Sequence, residues 1–135
     1  MREEEFRLRF AGARVLRLAT ADAAGTPHVV PATFVVLGDI VAIAVDHKPK
    51  RSSNLKRLRN IRENPAVSVL VDHFDDDWSR LWWVRGDGVG QVVDNEPARL
   101  LVDALVDKYE QYRSVRPAGP VIEIQVNRWS GWGVV

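Results

Sequence analysis

Residues 14–45 read RVLRLATADAAGTPHVVPATFVVLGDIVAIAV. Three runs rich in apolar and β-branched residues stand out: Arg14–Thr20, His28–Val36 and Ile40–Val45. Two turns separate them. Asp22–Pro27 contains Gly25, which is free to take positive φ, and Leu37-Gly38-Asp39 is a short hairpin turn. Connections this short make neighbouring strands antiparallel. Pro31 falls inside the second run. It has no N–H to give to a ladder, so it belongs at a bulge or on an edge strand.

On the N-terminal side, residues 2–11 predict a short helix in which Phe6 and Phe10, four apart, share a face. On the C-terminal side the period changes. Ser52 or Ser53 is a good N-cap for a helix running to about Asn64. Leu55, Leu58 and Ile61 give it an apolar stripe, and Pro65 ends it. Val67–Phe74 predicts a strand and Asp75–Asp77 a loop. Trp78–Val93 predicts one long strand or a strand pair, with bulges at Gly86, Gly88 and Gly90. Asn95 is read as the cap of a further helix, with Pro97 in its first turn and a stripe of Leu101, Leu105, Tyr109 and Tyr112. Arg116–Pro120 is a loop. Val121–Asn127 alternates cleanly, Ile122, Ile124 and Val126 inward and Glu123, Gln125 and Asn127 outward, as in a half-buried antiparallel strand. The expected class is α+β, mainly β: one antiparallel, closed or partly closed barrel with helices in its gaps, a single domain over residues 1–135.

The chain has 135 residues, net charge +1 and no cysteine. Disulfides and thiolate metal sites are excluded, and there is no global pull toward nucleic acid. No apolar run approaches the roughly 20 residues of a membrane helix, and the first ten residues lack the apolar core of a signal peptide. A cytoplasmic location is the expectation. His28, His47 and His73 lack metal-ligand spacing, so no metal is expected. Gly86-Asp-Gly-Val-Gly90 is not a dinucleotide fingerprint, and Ser130-Gly131 is not a nucleophile elbow.

Charge is sorted locally. Lys48, Lys50, Arg51, Lys56, Arg57, Arg59 and Arg62 lie within fifteen positions that hold no acidic residue. The strip begins where a strand feeds a helix. Free N–H groups at a helix start favour anions, and Lys50, Arg51, Ser52, Ser53 and Asn54 add charge and donors suited to phosphate. An ordinary solvated helix face is an equally good reading of composition alone. The five tryptophans form two groups, Trp78/Trp82/Trp83 and Trp129/Trp132. Such residues more often fill cores or interfaces than stack on cofactors.

Four segments in order carry a resemblance: Gly25-Thr-Pro-His-Val-Val-Pro-Ala-Thr-Phe34; Lys50-Arg-Ser-Ser-Asn-Leu-Lys-Arg-Leu58 leading to Asn64-Pro65; Trp83-Val-Arg-Gly-Asp-Gly88; and Val121-Ile-Glu-Ile-Gln-Val-Asn-Arg-Trp-Ser-Gly131. Together the chain resembles the pyridoxamine 5'-phosphate oxidase-like, FMN-binding split-barrel superfamily, and within it the branch that uses the deazaflavin coenzyme F420. The resemblance implies a homodimer with the cofactor in a groove between subunits. It implies that Val29, Val30, Pro31, Ala32 and Thr33 run along the ring, mostly through backbone groups. It assigns the phosphate to Lys48, Lys50, Arg51 and Asn54, and lets Arg128, Trp129 and Trp132 reach the partner's site. The arginine-rich strand and the C-terminal substrate motif of true pyridoxamine phosphate oxidases are missing, which argues against vitamin B6 oxidation. Seven basic residues exceed what one phosphate needs and fit the acidic tail of coenzyme F420. The implied activity is hydride transfer from the reduced cofactor to a small or medium organic acceptor, with Trp78, Trp82 and Trp83 as apolar walls. FMN in the same fold, or a non-catalytic binder of either cofactor, is the alternative.

Overall fold

A computed structural model describes residues 3–45 and 52–133. The chain runs α1 (Glu3–Ala11), β1 (Leu16–Ala21), β2 (Pro27–Ala32), β3 (Val35–Leu37), β4 (Ile40–Ala44), α2 (Ser52–Glu63), β5 (Ala66–His73), a 3-10 turn (Trp78–Arg80), β6 (Trp82–Val93), α3 (Asn95–Lys108), α4 (Glu110–Ser114) and β7 (Val121–Trp132). All seven strands form one antiparallel sheet in the order β2-β1-β5-β6-β7-β4-β3.

That order dictates curvature. β2 and β3 stand at opposite edges, and in a flat sheet of seven strands the edges would lie ~29 Å apart. Only Thr33 and Phe34 join them, and three virtual bonds span at most ~11 Å. The sheet must therefore curl until its edges nearly meet, which gives a barrel split between β2 and β3. The expected single strand over His28–Val36 is thus two strands. The break falls at Thr33-Phe34 rather than at Pro31, which lies in β2, an edge strand, opposite Arg17.

Inward side chains fill the barrel: Leu16 and Leu18, Val41 and Ile43, Val67, Val69 and Val71, Val84, Ile122, Ile124 and Val126, with Phe10 and Trp129. Phe10 plugs one end, edge-to-face with Phe34 and Trp129. α3 covers one outer flank, packing Ala98, Leu101 and Val102 on Ala42 and Val121.

Other expectations are corrected locally. Trp78–Arg80 is a 3-10 turn capped by Asp77, not strand. The N-cap position of α3 is Asp94, whose side chain makes no capping hydrogen bond, while Asn95 takes φ 57°. The stripe Leu101–Tyr112 spans two helices, because Tyr109 leaves helical geometry. Of the three glycines expected at bulges, the register breaks only at Gly88, and the extra residue, Asn127, is on β7. A Cβ on Gly88 would fall on the Gln125 carbonyl, 2.8 Å from its carbon, so only glycine permits this approach. β7 itself runs five residues beyond Asn127.

Candidate functional site

The turn between β1 and β2 is tied to helix α2. Asn60 Nδ2 donates to Thr20 Oγ1 (3.1 Å), Ala23 N–H to Glu63 (3.2 Å) and Asn64 Nδ2 to the Asp22 carbonyl (3.4 Å). Asp22 accepts the Ala24 and Thr26 N–H groups at 2.9 Å. The Thr26 bond above all, helped by the Ala24 bond and the nearby Lys56 charge, lowers its pKa. These bonds fix the basic helix against the end of β1 and the turn that leads into β2. Leu58 and Ile61 face the core, and Arg59 and Arg62 face solvent. Arg57 is 8% exposed, so it is removed from the charges offered to an outside anion. Lys48, Lys50 and Arg51 lie outside the described residues, as does the side chain of Asn54.

β2 alternates. Val29 and Pro31 are exposed, while Val30 and Ala32 pack on the core. Its outer backbone edge has no strand partner among the described residues, which leaves N–H and C=O groups free. His28 lies opposite Thr20, and its buried Nδ1 has no partner among the described residues. Buried polar atoms are nearly always paired, so an unpaired one beside the basic helix is what a polar ligand group would complete.

The corner closing the barrel is held by tyrosines. Tyr109 Oη accepts the Phe34 N–H (3.1 Å) and donates to the Arg14 carbonyl (2.8 Å). Tyr112 Oη lies 2.7 Å from Thr33 Oγ1. Burial raises the Tyr109 pKa, so the hydroxyl stays a donor. Lys108 Nζ sits 3.8 Å over the Phe34 ring and donates to the Ala11 carbonyl. Thr33 is therefore held from inside the chain. The sequence showed Tyr109 and Tyr112 only as apolar stripe residues, although a buried tyrosine needs a hydroxyl partner, and that was the available signal.

The C-terminal candidates lie elsewhere. Outward from the barrel, successive rows cross β2, β1, β5, β6 and β7: Val29, Ala19, Ser68, Asp87, Arg128; and Pro31, Arg17, Leu70, Arg85, Ser130. Along the curled sheet four strand spacings, ~19 Å of contour, separate Val29 from Arg128, so the two stand on different parts of the outer face. Arg128 is exposed. Trp129 points the other way, 6% exposed, its indole N–H on Asp39 at 3.1 Å. That bond, with the Arg7 contact at 3.1 Å, lowers the Asp39 pKa. Trp129 is thus a core residue of its own chain and drops out of the site. The three tryptophans also part: Trp82 faces α1 under the Arg9 guanidinium (5.1 Å), Trp83 lies outward beside Trp132, and Trp78 is on the exposed turn.

The family model for pyridoxamine 5'-phosphate oxidase matches residues 3–133. The chain belongs to the pyridoxamine 5'-phosphate oxidase family. Solved structures share the split-barrel fold. A conserved hypothetical protein, Rv2991, of Mycobacterium tuberculosis is 21% identical, with TM-score 0.73, over 98% of this chain and 84% of its own. A FAD-binding protein of Mesorhizobium loti is 24% identical, with TM-score 0.74, over 97% and 94%. The heme storage protein HutZ of Vibrio cholerae is 20% identical, with TM-score 0.67, over 96% and 89%. No curated protein matches the chain. Among the described residues no helix is long and apolar enough to cross a membrane, and no cluster of three acidic or histidine side chains could hold a metal.

Proposed function

We propose that the chain is an oxidoreductase that binds reduced coenzyme F420 at the interface of a homodimer and serves a small or medium organic acceptor. One observation carries the reading. The hydrogen bonds between Asn60, Glu63 and Asn64 and the end of β1 and its turn fix a helix with outward Arg59 and Arg62 against the hairpin that leads into an edge strand whose backbone is free. A flat ring needs the edge strand, and a long anionic tail needs the helix. Val29–Thr33 would hold the ring edge. His28 Nδ1 and the segment Lys48, Lys50, Arg51 and Asn54 would hold the phosphate, and Arg59 and Arg62 the tail carboxylates. When bound, the cofactor supplies hydride transfer; the chain's part is to orient it, exclude water and place N–H donors at its polar edge.

The dimer is part of the proposal: β2 and β7 of one chain stand four strand spacings apart, ~19 Å along the curled sheet, on an outer face that α3 does not cover. In this reading an Arg128 that acts on a ring at β2 comes from a second copy. FMN is the second reading, favoured by the FAD-binding neighbour; FMN has the ring and one phosphate but no acidic tail.

Fluorescence titration with coenzyme F420 and with FMN separates the two. Micromolar or tighter coenzyme F420 binding is expected, with weak FMN binding. Arg59→Glu with Arg62→Glu should weaken coenzyme F420 at least tenfold, flatten its salt dependence and leave FMN unchanged. Tight FMN binding with no uptake of coenzyme F420 overturns the reading.

A further inference from the structure

One end of the uncovered face carries a feature that the proposed roles of β2 and the basic helix do not use. Asp72 pairs across strands with Trp83, and Trp83 with Trp132, so a carboxylate and two indoles stand side by side. Neighbouring strands are ~4.8 Å apart, close enough for one small molecule to touch all three. They line an open pocket of about 460 Å³ with His73, Phe74 and Leu81, within the range of small-ligand sites. Trp132 is 56% exposed and Phe74 68%.

Aromatic faces attract cations through the ring quadrupole, and this end of the molecule already uses that chemistry. The Arg9 guanidinium lies over Trp82 and the Arg85 guanidinium over Trp83, at 5.1 and 5.8 Å. Arg85 is neutralised by Asp87 (3.1 Å) and Arg80 by Asp77 (3.9 Å). Among the described residues no cation or ring stacks on Trp132 or Phe74, and the Asp72 carboxylate makes no hydrogen bond or ion pair. Asp75 and Asp76 add negative charge to the adjoining loop. An unpaired carboxylate flanked by open aromatic faces has one natural complement.

We propose that Asp72, Trp83, Trp132 and Phe74 form a binding site for a flat organic cation, such as an aromatic amidinium or a charged nitrogen heterocycle. Its ring lies against Trp132 and Phe74 and its charge on Asp72. The site stands on this row alone, so failure of the coenzyme F420 titration leaves it intact, and its own failure leaves the cofactor reading intact.

Isothermal titration calorimetry of the full chain at pH 8 tests it with three probes of one shape: benzamidinium, neutral benzamide and anionic benzoate. Benzamidinium should bind about tenfold more tightly than benzamide, a difference of about 1.4 kcal/mol, and benzoate more weakly than either. Asp72→Asn should bring the benzamidinium-to-benzamide ratio to about one, and Trp132→Ala should weaken both at least fivefold. Both positions are exposed, so the variants fold, as circular dichroism checks. Equal affinities in the wild type, a ratio that survives Asp72→Asn, or no effect of Trp132→Ala overturns the proposal. So does failure of benzamidinium to bind the wild type, the outcome if a second copy covers the row.

Discussion

Tyr109→Phe isolates what closes the barrel. The substitution removes one oxygen and keeps the ring, which is 5% exposed, so no sizeable cavity opens. The hydroxyl joins two segments far apart in sequence, accepting the Phe34 N–H and donating to the Arg14 carbonyl. Arg14 is an exposed residue, where water can replace the lost donor at little cost. Phe34 is fully buried, and its N–H would be left without a partner. An unpaired buried donor costs about 1–3 kcal/mol. A loss of about 2 kcal/mol is therefore expected, or about 8 °C in melting temperature for a chain of this size. Urea unfolding followed by circular dichroism gives the first number, and hydrogen exchange at the Phe34 amide shows whether the loss is local. Tyr112→Phe is the internal comparison. Its partner, Thr33, is only part-buried, so the loss should stay below about 1 kcal/mol. A Tyr109→Phe loss under 0.5 kcal/mol, or a Phe34 amide as protected as in the wild type, would refute the argument that this hydroxyl pins the corner.

Gly88→Ala should be the most damaging small substitution, because the added carbon meets backbone on β7 rather than a movable side chain. A loss above about 3 kcal/mol, or insoluble protein, is expected in the same unfolding assay. Lys108→Met tests a buried charge. Burial, helped by Arg14, pushes the Lys108 pKa down to about 8 from 10.5. The folded form therefore holds fewer protons than the unfolded form between those values, and stability rises with pH across that window. Below about pH 8 both forms are charged and the desolvation penalty is fully present. Lys108→Met should abolish the rise and add on the order of 1 kcal/mol at pH 7, after allowance for solvent screening of a half-buried group. Parallel pH–stability profiles for wild type and variant would count against it.

The elements that carry the candidate site were readable along the chain. The helix Ser52–Glu63 and the proline-bearing strand follow from local patterns of period and turn chemistry, the strand ending at Ala32 rather than running on to Val36. What misled was reading neighbours in sequence as neighbours in space. Trp82 and Trp83 are adjacent, yet a strand sends them to opposite faces. Arg128 and Trp129 part for the same reason, one to solvent and one to the core. Arg57 sits among exposed basic residues, but its place on the helix turns it inward.

By itself the sequence determined the elements that local physics governs. Short turns made the strands antiparallel, Phe10 and the alternation in Val121–Asn127 named the core, and the missing cysteine removed disulfide and thiolate chemistry. Only the tertiary structure decided which strands are edges, because pairing between β1 and β5 or β4 and β7 depends on contacts across tens of residues. From that order came the split in the barrel, the two-residue closure at Thr33-Phe34, and the tyrosines that hold it. The same order put Val29 and Arg128 at opposite ends of one outer face, and lined up Asp72, Trp83 and Trp132 in a single row. The physical reason is that cross-strand register is set by the whole sheet at once, and no window of sequence contains it.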